Sequence, residues 1–200
     1  VVHNGIIENS DEIKKELESK GLKFKSQTDT EVITLLITEA LKENKPLESV
    51  FKTLKRLKGS FALGIIFKNF SDTIIGARRG SPLAVGYAKE ENYLGSDSYA
   101  LKSMTNKISY LDDGEICVLT KDLVSFYNEK LKKINKKIYT MSENEDAIDK
   151  GEYKHFMLKE IYEQPITVKN CISEYVDSLK KNINIINFPI EPNNINKIIL

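Results

Sequence analysis

Apolar positions recur every three to four residues in the first third of the chain and every second residue in the middle. Ile13 and Leu17, followed by Gly21, predict a short amphipathic helix with a glycine stop. Asn9 and Glu12 have capping-box spacing, with Asn in the place usual for Ser or Thr. The stretch "LKFK" (22–25) alternates and predicts a short strand. A second helix is predicted over "TDTEVITLLITEALKEN" (28–44), with Asp29 and Glu31 at its positive N-terminal end. Pro46 starts a third, with Leu47, Val50, Leu54 and Leu57 on one face and Gly59 as its stop.

At residue 60 the period shortens to that of strands. "SFALGIIFKN" (60–69), "DTIIGARR" (72–79), "LAVGYAK" (83–89) and "NYLGSD" (92–97) are separated by turn residues. A short helix near 98–103 and strands near 107–111, 115–120 and 123–128 complete the set. Mostly antiparallel strands after a helical start predict an α+β layered domain over 1–140. The polar, acidic stretch that follows predicts a linker over 141–156, and 157–200 is read as the start of a second domain. Within it a helix is expected from 156 to about 181, and "NKIIL" (196–200) reads as a strand. Strands stand at both ends, so the chain is expected to be an internal piece of a longer protein.

Composition removes several function classes. Thirty Lys and Arg against 29 Asp and Glu leave a formal charge of +1, without the basic excess of a nucleic-acid binder. The lysines sit among glutamates, as on solvated helix faces. Two widely spaced cysteines, Cys117 and Cys171, make neither a disulfide framework nor a zinc site, so neither is expected. No apolar run reaches membrane-spanning length, and a cytoplasmic protein is expected.

The candidate chemistry starts at the first strand. An acyl-transfer site needs donors aimed at the oxygen that becomes negative, and adjacent Asn4 and Gly5 supply a side-chain amide and an uncovered backbone N–H. The same dipeptide is also a common hairpin turn. His3 reads either as a base or as a structural neighbour. Asp29 reads as a helix cap or as a partner for a substrate ammonium. Arg78 and Arg79 in "ARRGSPL" (77–83) read as an anion site or as solvated charges beside a turn. Cys117 alternates with apolar neighbours as a core residue, and neither cysteine has a basic neighbour in sequence that would activate it.

In this order and spacing, "VVHNGIIEN", "TDTEV", "RRGSPL", "SDSYAL" and "YKHFMLKEIYEQP" resemble the glutamine–fructose-6-phosphate aminotransferase family over essentially the whole chain. The resemblance implies the last part of an N-terminal-nucleophile glutaminase, a four-layer αββα sandwich, then a linker and the start of an α/β sugar isomerase domain. It implies that glutamine is hydrolysed by an N-terminal cysteine whose α-amino group is the base. The ammonia then passes to fructose 6-phosphate, giving glucosamine 6-phosphate without metal or cofactor. Asn4 and Gly5 would form the oxyanion hole, Asp29 would hold the α-ammonium of glutamine, and His3 would be a neighbour. The full-length enzyme would be a homodimer. The nucleophile, the arginine that clamps the substrate carboxylate and most of the isomerase are absent from these residues, so the isolated chain is expected to be inactive and marginally stable. The alternatives are the glutaminase of another class II amidotransferase, against which "KEIYEQP" argues, and a non-catalytic interaction or sensing module.

Overall fold

The computed structural model describes residues 1–141, 151–177 and 182–183, and the chain divides into two units, Val1–Glu145 and Asp146–Leu200. The first unit runs β1 (Val2–Ile7), α1 (Ser10–Ser19), α2 (Asp29–Ala40), α3 (Pro46–Leu54), β2 (Gly59–Phe67), β3 (Phe70–Arg79), β4 (Ala84–Ala88), β5 (Glu91–Gly95) and α4 (Ser98–Leu101). It continues through β6 (Lys107–Tyr110), β7 (Ile116–Leu119), β8 (Val124–Tyr127), β9 (Lys133–Ile134) and β10 (Tyr139–Thr140). Two antiparallel sheets result, with orders β1-β2-β3-β7-β8-β9 and β10-β6-β4-β5.

Strand alternation builds the layers. Along β2, Phe61, Leu63 and Ile65 turn to one face and are buried against Ile13 and Leu17 of α1, Ile33 and Leu36 of α2 and Val50 of α3. Ala62, on the other face, packs with Val85, Leu111, Cys117, Leu119 and Phe126 between the two sheets. Beyond the second sheet, Leu101 of α4 packs with Ala84 and Ile108. The order is therefore helices, sheet, sheet, helix, and among the described residues the fourth layer is the single turn of α4. Burying one large aliphatic side chain contributes about 1.5–3 kcal/mol. Val32, Ile33, Leu36 and Ile37 thus hold α2 in place, although no side-chain bond caps its N-terminus.

The helical and stranded segments form near where the pattern puts them, with instructive exceptions. The segment 22–25 is not a strand: the Lys25 and Ser26 amides go to the Glu31 carboxylate instead of a neighbouring strand. The first helix ends as expected, with Gly21 (φ +87) donating to Glu18 O and Leu22 to Leu17 O, a Schellman arrangement. Its N-terminus differs, because the Asn9 side chain makes no cap bond. The third helix stops at Leu54, and Gly59 opens β2. Arg79 ends that helix by donating to Leu57 O (2.7 Å) and Leu54 O (3.3 Å).

In the second unit a helix, α5, runs from Phe156 to Tyr175 with Pro165 inside it. It is shorter than expected: Val176 is extended (φ −113, ψ 113), and Val176–Asp177 pairs antiparallel with Asn182–Ile183. Most of the expected linker (142–150) and the strand expected at 196–200 lie outside the described residues.

Candidate active site

Among the described residues β1 is an edge strand, paired on one side with β2 in the register His3–Leu63, Gly5–Phe61 and Ile7–Gly59. Alternate amides of an edge strand point away from the partner strand. The Ile7 N–H does so and donates to Asp29 Oδ2 at 2.9 Å. Strand alternation puts the Gly5 N–H on the same open edge. Asp29 is therefore not a helix cap: Thr28 holds the cap position, and the Asp29 carboxylate reaches across to the strand. His3 turns to the helix face, its side chain only 2% exposed. Its Nδ1 lies 3.2 Å from Thr30 Oγ1 and 3.5 Å from Asp29 Oδ1. The first strand and the helix of "TDTE" are thus joined side chain to backbone and side chain to side chain.

Gly5 has φ +138, a backbone conformation that L side chains rarely adopt. A Cβ there would collide with Ser60 O and lie 2.8 Å from Phe61 Cα, so this position admits glycine alone without movement of β2. Asn4 is not in a hairpin turn; it lies in mid-strand opposite Ala62, on the face toward the second sheet. It lines a cleft of about 220 Å³ whose far wall includes Leu83, Leu94 and Ser96. Larger hollows of about 410 and 440 Å³ contain none of Asn4, Gly5 and Asp29.

Two supports for this edge escape a local reading of the sequence. Asn9 donates through Nδ2 to Arg56 O and accepts at Oδ1 from the Lys58 N–H, both at 2.9 Å. With the Glu8 N–H on Lys58 O (3.0 Å), this clamps the end of β1 to the approach to β2. Glu31 accepts from the Lys25 and Ser26 amides and the Ser26 hydroxyl at 2.6–2.8 Å, which fixes the segment entering α2. The Ser26 hydroxyl first, then the Lys25 amide, holds the Glu31 carboxyl below its ordinary value. Thr28 and Glu31 have capping-box spacing, a signal that marks the helix start but not these partners.

The other candidates have structural employment. Arg79 holds the end of α3 and lies over the Phe61 ring, and Arg78 donates to Leu111 O and faces Asp113 at 3.4 Å. Three of their guanidinium nitrogens donate to backbone carbonyls, Arg78 Nε is buried without a hydrogen-bond partner, and both residues line the hollow of about 410 Å³. Cys117 is fully buried, and burial pushes its thiol up to about 12, so it is no nucleophile at neutral pH. Among the described residues no group of His, Cys, Asp and Glu is arranged to hold a metal, and no helix is long and apolar enough to cross a membrane.

The edge of β1 thus presents two kinds of partner: donors at Asn4 and Gly5, and a carboxylate beside Ile7.

Comparison with known proteins gives a consistent picture. The profile of a glutamine amidotransferase domain matches residues 1–103. A Zymomonas mobilis protein named glutamine–fructose-6-phosphate aminotransferase (isomerizing) is 46% identical over 88% of the chain, which covers 29% of that protein. A Bradyrhizobium diazoefficiens protein of the same name is 42% identical over 99% of the chain, covering 33% of its length. The chain spans about a third of the curated relatives it matches. Among solved structures, the glutamine phosphoribosylpyrophosphate amidotransferase of B. subtilis superposes with TM-score 0.58 at 23% identity, over 66% of this chain and 29% of that one. That likeness shows the fold, two packed antiparallel sheets with helices outside them.

Proposed function

The chain belongs to the glutamine amidotransferase domain family, and from that premise we propose that it is a segment of an enzyme that moves the amide nitrogen of glutamine to fructose 6-phosphate. The products are glucosamine 6-phosphate and glutamate. In this reading the carbonyl oxygen of the glutamine side chain lies at the Asn4 amide and the Gly5 N–H, which stabilise negative charge as the tetrahedral intermediate forms. The α-ammonium lies against Asp29. The nucleophile of this reading is an N-terminal cysteine with its α-amino group as base, which neither buried Cys117 nor Cys171 within α5 supplies. The isolated chain therefore hydrolyses no glutamine. The sugar-phosphate site belongs to the isomerase part, which α5 and the residues after it begin, and the complete enzyme is a cytoplasmic homodimer.

The observation that carries the reading is the bond from the Ile7 N–H to Asp29. It brings two motifs 22 residues apart onto one strand edge. The sugar acceptor is supported by relatives at 39–46% identity that share one name. The test is direct. The longer protein that carries this segment forms glucosamine 6-phosphate from glutamine and fructose 6-phosphate, and Asp29→Asn raises KM for glutamine by roughly tenfold or more, the scale of losing one charged hydrogen bond. Glutamine hydrolysis by the isolated chain, or normal glutamine affinity in D29N, sinks the assignment.

A further inference from the structure

We infer that His3 is a positioning residue: neutral, protonated on Nδ1, it holds the Asp29 carboxylate in the orientation that receives the substrate ammonium. The inference rests on the amidotransferase reading of this strand edge.

Both Asp29 oxygens meet β1. Oδ2 accepts the Ile7 N–H at 2.9 Å, and Oδ1 faces His3 Nδ1 at 3.5 Å. The Ile7 hydrogen bond fixes one oxygen, and the longer His3 contact, from a residue four apart on the same strand, flanks the other. An ionised carboxylate has about four lone-pair sites, so acceptor capacity remains for an ammonium.

The tautomer follows from the partners. With the proton on Nδ1, the ring donates toward Thr30 Oγ1 at 3.2 Å and faces Asp29 with a positive edge. Nε2 is then a lone pair, and it is buried without a partner. The opposite tautomer would set the Nδ1 lone pair against a carboxylate and bury an orphaned N–H at Nε2, the costlier defect. The imidazolium would likewise bury an unpartnered charged donor. A catalytic base must reach the proton it removes. The His3 residue borders the cleft that Asn4 lines, but its side chain is only 2% exposed and its Nδ1 is turned to Thr30 and Asp29. It acts through Asp29.

The experiment uses the longer protein that carries this segment, in two arms. The first is glutaminase kinetics of His3→Asn and His3→Gln. An asparagine amide places its N–H near the Nδ1 position, and a glutamine amide places its own near Nε2. Expected is a KM for glutamine close to wild type in H3N, and raised roughly tenfold in H3Q with kcat little changed. Equal KM values in the two variants, or a loss confined to kcat in both, overturn the inference. The second arm is a two-bond proton–nitrogen spectrum of histidine-labelled protein, the His3 signal being the one that H3Q removes. The Nδ1–H pattern is expected, and an Nε2–H or doubly protonated pattern at neutral pH overturns it. If the wild-type protein hydrolyses no glutamine, the amidotransferase reading fails by itself, and the ring spectrum still decides the state of His3.

Discussion

Replacing Gly5 by alanine tests the geometry of the strand edge without touching a charge. The added methyl meets Ser60 O and lies 2.8 Å from both Ser60 C and Phe61 Cα, all of them backbone of β2. Those atoms are strand backbone and have no flexible end to swing aside. Two costs combine. A φ of +138 forces an L residue into a sparsely populated region, worth about 1–3 kcal/mol. Overpacking by one methyl adds about 1–3 kcal/mol. The sum, about 2–6 kcal/mol, is large against the roughly 5–15 kcal/mol that holds a typical domain. The control is Gly21→Ala. Gly21 also has positive φ, +87, but nothing lies within 4 Å of its Cβ position, so only the backbone term applies. That term is about 1–2 kcal/mol. The assay is urea unfolding followed by far-UV circular dichroism and tyrosine fluorescence, since the chain has nine Tyr and no Trp. With slopes of about 1–3 kcal/mol per molar urea, G5A lowers the midpoint by about 1 M or more, and by more than G21A. A G5A midpoint equal to wild type, or to G21A, would refute the steric argument and with it the claim that β1 and β2 approach too closely here for any side chain.

Asn9→Ala removes two hydrogen bonds that join the ends of β1 and β2. It is expected to cost about 1–3 kcal/mol in the same unfolding assay, whereas a residue that merely occupied a helix entry without bonding would cost a few tenths. Glu31 is held below its ordinary 4.5 by its Ser26 and Lys25 donors. Its depressed folded value means that its contribution is fully present above pH 4.5 and is lost as pH falls through the folded value. Loss of amide protection at Lys25 and Ser26 below that pH, relative to the intrinsic exchange rate at each pH, is the expected result, and Glu31→Gln is expected to show no such pH dependence. In the folded chain one thiol, Cys171, reacts readily with a disulfide reagent at pH 8, while Cys117 reacts only after urea, because burial pushes its thiol up to about 12. Two equally fast thiols would mean that the two sheets are not packed as described.

Local chemistry wrote much of this protein into its sequence. Helix starts at Pro46, the glycine stop at Gly21 and the alternation of β2 depend on neighbours within a few residues, and those are visible in a linear reading. The candidate residues were visible too, because Asn4-Gly5 and Asp29 are compact signals. What the linear reading could not assign were partners. "LKFK" has a strand's alternation, yet its next amides are taken by Glu31, and a strand exists only where another strand accepts its bonds. Asn9 has a cap's spacing, but its side chain finds Arg56 and Lys58, 47 and 49 residues away. Arg79 read as an anion site or a solvated charge, yet it donates to Leu54 O at the end of α3 and to Leu57 O beyond it, 25 and 22 residues earlier. The same holds at the site. That Asp29 faces β1 rather than its own helix N-terminus depends on how four buried residues of α2 seat it against the sheet. Periodicity is a property of the chain and can be read along it. The choice among competing hydrogen-bond partners is made when burial withdraws water and leaves each polar group the neighbours that packing provides.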